Sequence, residues 1–195
     1  MNSVLGRFTA RQRSRGSEQR RLLLDKTAIT GLLDKFFQGV SFEPGQTPGH
    51  TELPSLFVPG AQLIKTSGER PHISTVEQFI HDRSSQATSG RLSRFCEHEV
   101  TQQTQIFGRV AQRFSTYRKT GEEVGTTFDT QGKISTQVIH TPDGWKISAM
   151  AWDDERPGLL LAHPSMVDRH DHRPSRTLGA DHYIGSHPLP VIRWI

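Results

Sequence analysis

The 195-residue chain has the length of one globular domain, and it has no apolar run near the roughly 20 residues that cross a bilayer. Its formal net charge of +4 belongs to the N-terminus, because residues 1–21 carry six Arg and one Glu, whereas residues 22–156 carry 14 basic and 16 acidic side chains. This central region lacks the basic face of a nucleic-acid-binding domain, so we expect neither a nucleic-acid partner nor a membrane partner.

The first predicted elements are a tail and a helix. Residues 1–21 combine Arg with Ser, Gln and Gly, which predicts a disordered basic tail; a transit peptide or a nucleic-acid-binding arm is the alternative. Over residues 25–40, apolar side chains such as Ile29, Leu33 and Phe36 recur at three- and four-residue spacing. This spacing indicates an amphipathic helix that packs one stripe on the core.

A Pro- and Gly-rich connection follows over residues 41–59 and predicts a long loop, in which His50 is expected to be solvated. Residues 61–66 predict a short strand. The sequence Ser74-Thr-Val-Glu77 has the spacing of a capping box, in which two side chains bond each other's backbone N–H groups. It predicts a second helix over residues 75–87.

Four long segments with strand-like composition occupy the centre of the chain. Gly108 separates the first pair, and the turn Thr141-Pro-Asp-Gly144 separates the last pair. Four strands in meander order make a curved antiparallel sheet whose apolar face the helices cover, so the predicted fold class is α+β. The predicted strands are residues 95–107, 109–120, 133–141 and 145–153.

Alternation along the first long strand separates two predicted faces. Even-numbered residues from Cys96 to Ile106 are expected to face the core or a cavity, and odd-numbered residues from Glu97 to Gln105 to face water. In the second strand, Arg113 and Tyr117 share a face. The single cysteine, Cys96, excludes an internal disulfide and is typical of a reducing compartment, so we predict a cytoplasmic protein.

The last strand carries apolar groups on both predicted faces. Trp145 and Ile147 alternate with Met150 and Trp152, which lie on the opposite face if the alternation is strict. This pattern favours a strand that is covered on both sides or that lies at an oligomer interface.

The pattern of packed structure stops after residue 156. Residues 157–195 hold five of the ten His and show no clear period, which predicts a mostly disordered tail. His170-Asp171-His172 matches no closed zinc pattern, so we predict no metal site, and no motif calls for a cofactor.

Four motifs together resemble the nuclear transport factor 2-like superfamily, and in particular its SnoaL-like bacterial members. The resemblance covers roughly residues 25–155 and implies a cone-shaped fold, in which helices pack into the concave side of a curved sheet, leave an apolar pocket and often form a dimer. We therefore place this domain at residues 22–156. The motifs are Phe107-Gly-Arg-Val-Ala-Gln-Arg-Phe-Ser-Thr-Tyr117, Ser135-Thr-Gln137, Asp143-Gly-Trp-Lys-Ile147 and Ala151-Trp-Asp-Asp-Glu155.

The resemblance leaves three functions open. The first is binding of a hydrophobic small molecule in the pocket, and the second is a lyase, isomerase or cyclase reaction on a hydrophobic carbonyl compound. The third is a homodimeric interaction module without catalysis. For the second function, His98 would be the base and Tyr117 a donor to a developing enolate. The candidate ligand-binding residues are Gln102, Arg113, Gln137 and Trp152.

Overall fold

The computed structural model describes residues 3–46 and 49–161, with side chains described from residue 16 onward. Most of the predicted C-terminal tail, from residue 162, lies outside the described residues, as does His170-Asp171-His172. In chain order the elements are helix α1 (Ser3–Val40), a 3-10 helix (His50–Leu56), strands β1 (Phe57–Lys65) and β2 (His72–Thr75), helix α2 (Val76–Thr88), and strands β3 (Leu92–Phe107), β4 (Val110–Glu123), β5 (Thr126–Thr141) and β6 (Gly144–Asp154).

Six strands form one sheet in the order β2-β1-β6-β5-β4-β3. Strands β3 to β6 are the predicted antiparallel meander, and β1 joins it by pairing parallel to β6. Both helices contact the sheet, and the core lies between them and its inner face. The predicted α+β class, a curved sheet packed against helices, is confirmed.

Helix α1 buries the predicted stripe, since Ile29, Leu33 and Phe36 are all in the core. The helix as described begins at Ser3, and the boundary of a basic tail at residue 21 stays a prediction. Side chains of residues 16–24 are exposed, so this part of the helix depends on the helix propensity of its Leu, Arg and Gln residues rather than on packing. Within the described residues, no helix carries an apolar stretch that would cross a bilayer.

The capping box of α2 lies one residue later than predicted. Gln78 N donates to Thr75 Oγ1 at 3.2 Å, and Thr75 N donates to Gln78 Oε1 at 2.9 Å. Ser74 still belongs to β2, where its buried hydroxyl donates to the carbonyl of Leu63 at 3.2 Å. The predicted Ser74–Glu77 box is therefore wrong, because the Ser74 hydroxyl bonds the neighbouring strand and Thr75 is the N-cap of the helix.

A β-bulge at Val100 changes which residues of β3 face the core. Glu99 pairs with Tyr117 and Thr101 with Thr116, so Val100 is an extra residue on β3. An extra residue exchanges the two faces of everything beyond it. Before the bulge the odd-numbered residues face inward, beginning with the buried Phe95; after it the even-numbered ones do. The predicted strict alternation is correct only for the second half of the strand.

A second bulge, at Ser148 in β6, has the same effect. Val138 pairs with Ile147 and Gln137 with Ala149, so Ser148 is the extra residue. Consequently Trp145, Ile147 and Met150 are all buried in the same core, and Trp152 packs against it. The prediction of a strand that is apolar on both faces is wrong, and it no longer supports an oligomer interface.

Candidate ligand-binding cleft

A cleft of about 660 Å³ opens between α2 and the inner face of the sheet. One part of its wall is aromatic, and Phe79 and Trp152 meet there edge to face with ring centroids 6.2 Å apart. The other part is charged, with Lys65, Arg83 and Lys119 among its cations. Because these residues come from β1, β4, β6 and α2, the cleft exists only in the folded chain.

Asp154, the last residue of β6, binds three donor side chains in the cleft. The Tyr117 hydroxyl donates to Oδ1 at 2.6 Å, Lys119 Nζ lies 2.5 Å from the same oxygen, and Ser67 Oγ donates to Oδ2 at 3.3 Å. Burial alone would raise the pKa of Asp154, but the hydrogen bonds from Lys119 and Tyr117 hold it below its usual value. Asp154 is therefore a fixed anion at neutral pH.

Tyr117 is fully buried, and its phenol remains neutral. Burial, and then the hydrogen bond to Asp154, hold the pKa of Tyr117 far above its usual range. The ring has room because Gly132 is its partner on β5: a Cβ at Gly132 would overlap the Tyr117 hydroxyl and the carbonyl oxygen of Asp153. The missing side chain of Gly132 lets the phenol reach Asp154 on the far side of β5.

The alternation predicts that Glu97 faces water, yet the Val100 bulge places it on the inner face of the sheet. Burial raises the pKa of the Glu97 carboxyl to about 7, while Arg83 and Lys119 act in the opposite direction. Glu97 is thus the carboxyl of this region that changes charge near neutral pH. Sequence reasoning missed it because a bulge without a Gly leaves no mark in the alternation.

His50 was predicted to be solvated in a loop, but it begins the 3-10 helix and is buried. Its Nδ1 lies 2.9 Å from Ser84 Oγ on α2, and its Nε2 has no partner among the described residues. Burial, and then the nearby Arg83, lower the pKa of His50. The contact attaches the 3-10 helix to α2 through a neutral imidazole.

The two predicted catalytic residues lie on opposite faces of the sheet. His98 pairs with Arg118 and is exposed, whereas Tyr117 pairs with Glu99 and is buried on the inner face. Cross-strand partners point to the same side of a sheet, and neighbouring residues to opposite sides. The structure therefore does not bring His98 and Tyr117 together, and it corrects the predicted position of His98.

The four predicted ligand-binding residues are also separated. Trp152 lines the cleft. Arg113 is buried beside Glu99, to which Nε donates at 2.8 Å and Nη2 makes a second, shorter contact. Gln102 is exposed and accepts from Thr104 Oγ1 at 2.9 Å. Gln137 is exposed and lines a different hollow of about 470 Å³.

No family model and no curated protein matches the chain. Solved structures do, and they show that the chain has the NTF2-like, cystatin-like fold. An NTF2-like protein with a cystatin-like fold from Novosphingobium aromaticivorans is 14% identical at a TM-score of 0.58, over 78% of this chain and 92% of that one. Kfla4162 from Kribbella flavida is 16% identical at a TM-score of 0.58, over 71% and 97% of the two chains. An NTF2-like superfamily protein from Salmonella enterica is 16% identical at a TM-score of 0.54, over 67% and 91%.

Proposed function

We propose that this protein binds a small organic molecule in the cleft between α2 and the sheet. The observation that carries the proposal is the composition of the wall, where aromatic rings adjoin fixed polar groups in one concave space of about 660 Å³. Small-molecule sites combine an apolar lining with a few oriented polar groups, and they have volumes in this range. Phe79 and Trp152 would pack on the apolar part of the ligand.

The polar groups of the cleft support binding better than the predicted acid–base pair. The Tyr117 hydroxyl already donates a hydrogen bond to Asp154, and His98 lies on the other face of the sheet. A base and a donor that act on one substrate have to reach it together. We therefore favour ligand binding over the lyase, isomerase or cyclase reaction with these two residues.

Blocking the cleft tests this proposal. Thr130 lines the cleft, and we expect Thr130→Trp to weaken binding of the neutral fluorescent probe N-phenyl-1-naphthylamine about tenfold or more, because the indole occupies the space of the probe. Thr127→Trp, on the same strand but outside the cleft lining, is the matched control and should bind as the wild type does. Titration of probe fluorescence measures both, with circular dichroism to verify folding. Equal affinities in the two variants would refute the proposal.

A second copy of this chain is a further proposed partner, and the outer face of the sheet carries this proposal. Two neighbouring cross-strand rows on that face contain no charged residue, although 23% of the chain is charged. Phe114 and Ile73, both in the first row, are 48% and 57% exposed. The rows are Gln103, Phe114, Ser135, Ala151, Ile64 and Ile73, and Gln105, Gln112, Gln137, Ala149, Gln62 and Thr75.

Depletion of charge with exposed aromatic side chains is typical of the centre of protein interfaces. We expect a homodimer at micromolar concentration. We expect Phe114→Glu to convert it to a monomer, because each of the two copies would have to bury one carboxylate in the interface. Val124→Glu, at the exposed turn between β4 and β5, should remain dimeric. Light scattering coupled to size exclusion gives the mass; a monomeric wild type would rule the dimer out.

A further inference from the structure

Two cations in the cleft, Arg83 and Lys65, form no ion pair with any described carboxylate. The acids of the cleft have other nearest partners. Asp82 faces His72 at 3.9 Å, Glu123 pairs with Arg91 at 2.8 Å, Asp154 with Lys119 at 2.5 Å, and Glu155 accepts from the backbone N–H of Leu161 at 2.6 Å.

Arg83 is held in place by aromatic rings instead. Its guanidinium carbon lies 5.0 Å from the ring centroid of Phe95 and 5.5 Å from that of Phe79. Such cation–π contacts fix the guanidinium without using its N–H donors, which stay free to form a bidentate pair with an anion. Arg83 is therefore an oriented donor on the wall of the cleft, with no hydrogen-bond acceptor among the described residues.

Lys65 shows that positive charge is crowded at this place. Burial, and then Lys119, lower the pKa of Lys65; Asp154 acts in the opposite direction, Arg83 lowers the pKa further, and Glu123 again opposes this. Repulsion of this kind is relieved when an anion binds among the cations. The charge of Arg83 also lowers the pKa of Glu97, but among the described side chains these two form no ion pair. Arg83 and Lys65 are therefore available to pair with an anionic ligand.

We infer that the cleft recognises an organic acid, whose carboxylate, sulfonate or phosphate group binds Arg83 with Lys65 nearby and whose apolar body packs on Phe79 and Trp152. This inference deepens the proposed function and rests on it. The aromatic wall is continuous with the anion site, since Phe79 touches both Trp152 and Arg83. One molecule can therefore occupy both parts.

Two probes that differ by a single anionic group test the inference. N-phenyl-1-naphthylamine is neutral, and 8-anilinonaphthalene-1-sulfonate is the same skeleton with a sulfonate. We expect the wild type to bind the sulfonate more tightly. We expect Arg83→Gln to weaken sulfonate binding about tenfold or more, since a charge-assisted bidentate contact is lost, and to leave the neutral probe within about twofold. Lys65→Gln should weaken sulfonate binding by a smaller factor.

The matched control is Arg118→Gln, which removes an exposed cation that Asp129 already neutralises and that lies outside the cleft lining; it should change neither affinity. If the wild type binds both probes equally, or if Arg83→Gln weakens both alike, the inference is overturned while ligand binding in the cleft stands. If Thr130→Trp changes neither affinity, the proposed function itself fails.

Arg83→Lys, which keeps a positive charge, should retain part of the preference for the sulfonate. Thermal midpoints of all variants verify that they fold.

Discussion

We expect Glu99→Gln to lower the free energy of unfolding by about 3 to 5 kcal/mol, the usual cost of leaving one member of a buried ion pair unpaired. The Arg113 side chain is 2% exposed and that of Glu99 12%. Glu99 accepts from Nε and Nη2 of the guanidinium and from Ser115 Oγ at 2.5 Å. Without the carboxylate, the buried cation would keep only neutral acceptors: one amide oxygen at position 99, and the hydroxyls of Thr30 and Thr104, 3.0 and 3.4 Å from Nη1.

Urea denaturation measures this change, and two variants serve as controls. Glu99→Leu combined with Arg113→Met removes both charges and should recover much of the loss, because the apolar replacements leave no ion buried. Arg118→Met breaks the exposed pair with Asp129 and should change stability little. If Glu99→Gln were as mild as Arg118→Met, the pair would not be buried as described.

The second large effect depends on pH. The pKa of Glu97 is raised from 4.5 to about 7 in the folded protein, so folding disfavours its charged form. The stability that this group contributes is fully present below pH 4.5 and is lost as pH rises through about 7. Glu97→Gln has no charge to bury, so it should be more stable than the wild type at pH 8, by at most about 3 kcal/mol, and equal to it near pH 4.5.

The difference in unfolding free energy between wild type and variant, measured from pH 4.5 to 8, isolates this group from others that titrate. Glu69→Gln changes an exposed carboxyl and should give parallel curves. Parallel curves for Glu97→Gln would show that the carboxyl is hydrated in the folded state. The groups that act on Glu97 are Arg83 from α2, Lys119 from β4 and Asp154 from β6.

The elements of this fold can be predicted from the sequence because their periods are local. The stripe from Ile29 to Val40 and the alternation in the meander are each visible in a single segment. The bulges cannot be predicted in this way, since neither Val100 nor Ser148 has the composition of a bulge, and strand pairing alone reveals them. This is why Tyr117 was placed on the correct face and His98 on the wrong one.

The candidate site was harder to predict than the fold for a different reason. Arg83 belongs to a helix whose pattern marks it as a polar, solvated position, and only its contacts with Phe79 and Phe95 give it a defined place. Likewise Asp154 becomes a fixed anion through Lys119, which is distant in sequence. Charged residues show their role only when the fold reveals which of them are paired with one another.

The Val100 bulge has a consequence for how this cleft could diversify. If insertion or deletion of one residue moved the bulge along β3, different residues of the strand would face the core. Cys96 and His98 would then face inward in place of Glu97 and Glu99, although every other residue of the strand would be retained. Relatives of this protein that differ by such one-residue length changes would have cleft walls of different chemistry despite similar composition. Comparisons among such relatives should therefore align the bulge first and the residue types second.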